Sequence, residues 1–226
     1  MNYVESRIER AQNTIVSIVE DPVGHGRVRY LLQIQNAVPI FEDFKGVKSK
    51  FTKEPNFKLV CNQAMVDAIK AVNDAIRAAN DNPNVTISLK PVDVFTEDEV
   101  ANKNCEQQQI FVLPIKINPN PIRRQDGTVV DKPFFLYSYD KDGVNKSRSK
   151  PLNRETIGIL DGIDLEKMDI VISFFVSEQY PDKCTAWLDQ LHATQSKAYS
   201  RQFFDGEYDG YDADAVPVDA LATQEQ

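Results

Sequence analysis

Residues 134–150 read FFLYSYDKDGVNKSRSK, with rings at Phe135, Tyr137 and Tyr139 and cations at Lys146, Arg148 and Lys150, each set recurring at every second position. Alternation of period two marks a strand that shows one face, and Asp142-Gly143 between the two runs predicts a tight hairpin. With those two residues as the loop, Tyr139 faces Lys146, Tyr137 faces Arg148 and Phe135 faces Lys150. A four-residue loop keeps this register, whereas a three-residue loop shifts it by one and divides the set between two faces. In the favoured register three rings lie beside three cations. Rings stack on bases and cations neutralise phosphates, so such a face suits a single-stranded nucleic acid. The competing reading buries the rings in the core and leaves the cations on a solvated edge.

Other basic residues also cluster with rings. Arg27 and Arg29 alternate beside Tyr30 in RVRYLLQIQN. Lys45, Lys48, Lys50, Lys53 and Lys58 interleave with Phe44, Phe51 and Phe57, and Arg123 and Arg124 precede a QDGT turn. Taken singly each is an ordinary surface charge, but their repeated pairing with rings extends the nucleic-acid reading beyond the hairpin.

Catalytic and metal chemistry find little to work with. GHGRVRY lacks both the spacing of a phosphate-binding loop and its terminal Lys-Ser/Thr. DKDGVNK is close to a calcium loop, but its Gly comes one acidic position too early and Pro151 stands where the bidentate Glu belongs. Asp126, Asp131, Asp161 and Asp164 are conceivable ligands of a metal-dependent nuclease, yet Asp126-Gly127 and Asp161-Gly162 are also ordinary turn dipeptides. The only histidines are His25 and His192, and no zinc-ligand spacing exists. The expectation is a protein without catalytic residues, metal or cofactor.

The net charge of −8 is unevenly spread. Seven of the 34 acidic residues lie after Phe204 (Asp205, Glu207, Asp209, Asp212, Asp214, Asp219 and Glu225), a stretch without Lys or Arg; the 27 that remain nearly balance 26 basic residues. A nearly neutral body can hold a basic groove. The tail has too few large apolar groups to fold and is expected to be disordered. It serves either as a solubilising end or, with Tyr208 and Tyr211, as a segment that occupies the groove or docks partners. Three widely separated cysteines, Cys61, Cys105 and Cys184, fit a reducing compartment. No apolar run spans a bilayer, and the opening lacks the layout of a signal peptide, so the expected setting is cytoplasmic with no membrane contact.

These residues must be positioned by a mainly β, α+β body of residues 1–204, followed by a tail over 205–226. Strands are expected at 27–36, 57–61, 84–90, 109–117, 132–140, 144–150 and 169–177. One long amphipathic helix over 62–81 carries Met65, Ile69, Val72, Ile76 and Ala79 as its stripe. Residues 1–22 allow a helix around Glu5–Gln12 or a strand at Thr14–Val19. A loop or short helix is expected over 91–108, and a late helix over Lys183–Tyr199 with Trp187, Leu188 and Leu191 inward. Short strands with one inserted helix suit a small β-barrel with an elaborated loop.

The order of a strand, NAVPIFEDFKGVKSKFTKEPNFKLVC, a long helix, further strands, LDQLHATQSKAY and an acidic tail resembles the single-stranded DNA-binding proteins of tailed bacteriophages over about residues 27–226. The resemblance implies an oligonucleotide/oligosaccharide-binding (OB) barrel that coats single-stranded DNA without sequence preference in replication, recombination or repair. It implies partners such as a polymerase or helicase reached through the tail, and it is compatible with a homodimer. Many members end in an aromatic residue, whereas this sequence ends ALATQEQ. Two other classes are weighed against it, a structural or protein-interaction module and the metal-dependent nuclease.

Overall fold

The computed structural model describes residues 2–22, 28–48, 53–124, 126–139 and 145–197, with the backbone alone for 145–148. Over these residues the chain is mainly β, with three α-helices. Both alternatives for the N-terminal segment are realised: α1 spans Tyr3–Ala11 and β1 spans Ile15–Pro22. A capping box starts α1, since Glu5 N donates to the Asn2 side chain and Asn2 N donates to the Glu5 carboxylate.

Strand β2 (Val28–Gln35) alternates as its sequence predicts, with Leu32 and Ile34 buried and Gln33 and Gln35 exposed. It runs through Asn36–Val38 into β3 (Pro39–Asp43), a strand not anticipated from the sequence. Then come β4 (Asn56–Cys61) and the long helix α2 (Gln63–Asn80). Asn62 caps α2 by accepting from Met65 N at 3.0 Å, and Met65, Ile69, Val72 and Ile76 are buried, whereas Ala79, expected to end the stripe, is exposed. Asp81, in the left-handed conformation at φ +48°, ends the helix.

The 84–90 segment divides into β5 (Thr86–Ile87) and β6 (Lys90–Asp93), and α3 covers Glu97–Lys103. Strand β7 is Gln109–Ile117. A small hairpin of β8 (Ile122–Arg123) and β9 (Val129–Val130) stands apart as its own sheet. The hairpin strands are β10 (Phe134–Tyr139) and β11 (Asn145–Pro151), and a 3-10 turn covers Ile157–Asp161. Two long strands, β12 (Leu165–Val176) and β13 (Lys183–Gln195), close the described chain.

Over Lys183–Gln195 the expected late helix is therefore a strand. Cys184, Ala186 and Leu188 point inward with period two, and Leu191 and Ala193 resume the pattern after an extra residue. The register with β12 slips between Val171↔Gln190 and Ile172↔Leu188, so Asp189 is a β-bulge. The bulge sets Leu188 and Leu191 three apart, which imitates helical spacing.

The main sheet has eleven strands and runs β1-β2-β12-β13-β7-β4-β3. Along its other edge β13 pairs in parallel with β5, β7 and β10 in turn. The core lies between the inner face of this sheet and α2, around Phe44 and Phe57, whose rings stack at 5.4 Å. A smaller cluster of Ala11, Val38, Ile40, Val60 and Val112 seals α1 against β3, β4 and β7. No helix among the described residues is long and apolar enough to cross a membrane.

Candidate nucleic-acid interface

Pairing fixes which side chains share the sheet face turned away from the core, because residues opposite each other in a ladder project to the same side. Along β13 that face carries Thr185, Trp187, Gln190 and His192. Across β12 stand Phe175, Ser173, Val171 and Asp169. Strand β2 adds Leu31 and Gln33 through its pairing with β12, and Arg29 two residues further along. On the other side, Trp187 is opposite Lys116 of β7, which is opposite Asn56 of β4. His192 is opposite Phe135 of β10.

Two ring groups result. Trp187 is half-buried and the Lys116 ammonium lies 5.4 Å from its ring centre. Phe135, Tyr137 and His192 form a triangle with centroid separations of 6.3, 5.6 and 5.7 Å. From Trp187 to His192 along the strand is about 15 Å at the usual rise per residue. Phe175, 59% exposed, adds a further ring on the neighbouring strand.

The hairpin register differs from the expected one. Phe135 is opposite Pro151, Leu136 opposite Lys150, Tyr137 opposite Ser149 and Ser138 opposite Arg148; after a shift between Ser138 and Tyr139, Tyr139 is opposite Asn145 and not Lys146. The rings and the cations of β11 thus fall out of step by one residue, which places Phe135 and Tyr137 across from Pro151 and Ser149. Tyr139 is buried at 5% exposure, with the Lys197 ammonium 5.4 Å from its ring centre, so the core reading holds at that position. Phe135 and Tyr137 remain half-buried on the outer face.

The cations divide by their partners. Arg29 pairs with Asp21 at 2.6 Å and with Asp189 at 3.5 Å, and Asp189 also accepts from the Ser173 hydroxyl at 3.0 Å. Lys116 pairs with Glu54 at 3.0 Å. Lys48 reaches Asp161 at 2.9 Å and donates to the Glu42 carbonyl. Asp161 is an anchor, since Phe44 N and Lys45 N donate to its carboxylate at 3.0 and 2.9 Å. Gly46 completes that turn: at φ +72° a Cβ would lie 2.8 Å from the Pro55 nitrogen. The lysine-rich segment therefore starts from a pinned base.

Lys53, Arg123, Arg124, Lys132 and Lys150 make no ion pair within 4.0 Å among the described residues. Burial pushes the Lys132 ammonium below the usual lysine range, and nearby Asp189 acts against it. Arg123 and Arg124 are exposed on the separate β8–β9 hairpin. Tyr30 is half-buried and packs against the core from the inner side of β2, away from the outer face. Arg27, Lys50, Phe51, the side chains of Lys146 and Arg148, and the tail residues Asp205, Glu207, Tyr208, Asp209, Tyr211, Asp212, Asp214 and Asp219 lie outside the described residues.

Trp187, Phe175, His192 and Lys116 were not singled out from the sequence. The first and third were hidden by the helical reading of 183–199. A period-two count allowing one bulge would have set Trp187 outward between Ala186 and Leu188. Asp126 caps its own turn, accepting from Thr128 N and Oγ1, and the described residues contain no cluster of three or more His, Cys, Asp or Glu able to hold a metal. No protein-family model, curated protein or solved structure matches this chain.

Proposed function

We propose that this chain binds single-stranded DNA, without sequence preference, across the outer face of β13 and its neighbours. The observation that carries the reading is the set of accessible rings, Trp187 beside Lys116 and Phe135–Tyr137–His192 further along, on the β13 part of the outer sheet face; α1 covers that face only further along β4 and β7, at Val60 and Val112. Bases have flat faces that stack on such rings whatever their identity, while cations take the phosphates, so affinity arises without base-edge readout. Arg29 and Lys116 are already ion-paired at exposed positions, where such pairs are worth about 0–1 kcal/mol. Exchanging Asp189 or Glu54 for a phosphate therefore costs little and leaves the cation pre-positioned.

An OB barrel is the finer fold we infer. Treating β2 and β3 as one bent strand, hydrogen-bonded neighbours run β2/β3–β4–β7–β13–β12 and return to β2/β3. That is a five-stranded circuit with one parallel contact, between β7 and β13. Such barrels bind oligonucleotides on the sheet face and the loops beside it, at about 4–16 nucleotides per barrel. The acidic tail over 205–226 is proposed to compete for this face and to recruit replication or recombination proteins, in the manner of the phage proteins the sequence resembles.

Titration of the full-length protein with labelled oligo-dT, oligo-rU and a duplex of equal length tests the assignment. Tight, salt-sensitive binding of oligo-dT with weak duplex binding is expected. Absence of binding at low salt would refute it in favour of a protein-interaction module, and magnesium-dependent strand loss would refute it in favour of a nuclease.

A further inference from the structure

A second concave surface lies on another side of the fold, where α1, β3 and the segment leading into α3 meet. This open groove holds about 570 Å³, in the range of a ligand or peptide site, and apolar Tyr3, Val4, Phe41, Val94 and Phe95 share its lining with six polar or charged residues. Two of these rings are turned to solvent, Tyr3 at 46% and Phe41 at 45% exposure, 6.4 Å apart. Phe41 is held there by its backbone. It sits where the β3–β4 register slips between Ile40 and Asp43, at φ +54°, a conformation that bulky side chains rarely adopt. Bulges of this kind re-aim a side chain, and strain of this kind persists at binding sites.

Charge and ring chemistry specify the same ligand. Asp93, Glu97 and Glu99 belong to the lining. Each ring already has a cation over it, Arg7 on Tyr3 at 5.0 Å, Lys58 on Phe41 at 4.7 Å and Lys103 on Phe95 at 4.5 Å. Ring faces and carboxylates both attract cations carried on apolar stems. We propose that this groove docks a cationic, Lys/Arg-rich segment of a partner protein, with a stem laid on Tyr3 and Phe41 and its charge met by Glu97 and Asp93. The chain's own tail, with seven acids and no Lys or Arg, has the wrong sign for it, as does a nucleic acid. The groove and the outer sheet face thus call for ligands of opposite charge.

The test uses a fluorescein-labelled Gly-Arg-Lys-Arg-Gly amide, its Glu counterpart, and the full-length protein with Phe41→Gly and Glu97→Lys variants, read by fluorescence anisotropy. Glycine accepts φ +54° without strain, and Glu97 is exposed in the first turn of α3, so both variants are expected to keep the fold, which circular dichroism checks. Each variant is expected to weaken the basic peptide about fivefold or more, and saturating oligo-dT is expected to leave it bound. Equal affinity for wild type and both variants would mean that the acidic tail alone holds the peptide and would overturn the proposal. Tighter binding of the Glu peptide, or displacement by oligo-dT, would overturn it as well. Should Phe41→Gly unfold by circular dichroism, the Glu97→Lys comparison decides.

Discussion

Replacing Trp187 by Ala separates the stacking face from a purely structural sheet. The side chain is half-buried on the outer face, with Lys116 5.4 Å from its ring and Ser173 opposite on β12, so part of its area faces solvent and is available to a base. Losing one base stack costs about 1–3 kcal/mol, which raises the dissociation constant by roughly five- to 150-fold. Full burial of an aromatic ring makes truncation cost about 3–5 kcal/mol of stability, and half-burial at the surface should cost clearly less. Trp187 is the sole tryptophan, so the wild-type protein reports its own binding through intrinsic fluorescence. Oligo-dT should quench that emission in parallel with anisotropy of the labelled strand, and Trp187→Phe should retain most of the affinity because a ring remains. The urea midpoint of each variant controls for unfolding. A folded Trp187→Ala protein with wild-type affinity, together with no quenching in the wild type, would remove the stacking face from the argument.

Tyr137→Ala should weaken single-strand binding by about 1–3 kcal/mol with the fold retained, whereas Tyr139→Ala, at a buried position, should cost about 3 kcal/mol or more of stability; urea denaturation beside binding curves distinguishes the two. Affinity should fall with salt at a log–log slope of about −0.7 per phosphate neutralised, and truncation after Phe204 should raise affinity most at low salt; a slope near zero or an unchanged affinity would contradict the electrostatic part. Asp161→Ala removes the acceptor of two backbone N–H groups and of Lys48, so it should lower stability by about 2–4 kcal/mol and speed proteolysis within 44–56. Burial pushes the Cys61 thiol up to about 12 and the Cys184 thiol up to about 11, while both ionise near 9 once unfolded. The folded state then holds more protons between pH 9 and 11, so stability is full below pH 9 and declines above it by up to about 1.4 kcal/mol per pH unit for each thiol. Chemical denaturation across that range checks the slope, and at pH 8 a thiol reagent should modify Cys105, the least buried of the three, well before the others.

Elements with strong, uninterrupted periodicity were legible in the sequence. The α2 stripe of Met65, Ile69, Val72 and Ile76 and the strand at Gln109–Ile117 need no tertiary information, because one period repeats without a break and clear caps or turns bound it. Two of the three principal misreadings share one physical cause. β3 escaped notice because one extra residue interrupts its register around Phe41, and β13 looked helical because Asp189 is inserted into it. The hairpin was set one residue out for a different reason: Tyr139 pairs with Asn145, which leaves an odd number of residues between the strands where an even loop was expected. A β-bulge adds one residue to one strand only, and its position depends on the partner strand, which local sequence does not reveal.

The same bulges fall at the surfaces to which function is assigned above. Asp189 bends β13 between Trp187 and His192 and sends its carboxylate across the outer face to Ser173 and Arg29. The slip beside Phe41 turns that ring out of β3 into the groove. A strand without interruption presents its side chains at a fixed spacing on a smoothly twisted surface. An inserted residue raises the local twist and shifts the phase, which brings the Phe135–Tyr137–His192 rings onto the same face as Trp187 while Leu188 and Leu191 both stay in the core. Without the extra residue the strand could satisfy only one of those two demands: with Leu188 inward, Leu191 would project outward and His192 would turn into the core. Core packing and an accessible ring surface on one strand are thus reconciled by a single residue, and that residue is where the sequence pattern departs from both the helix and the strand period.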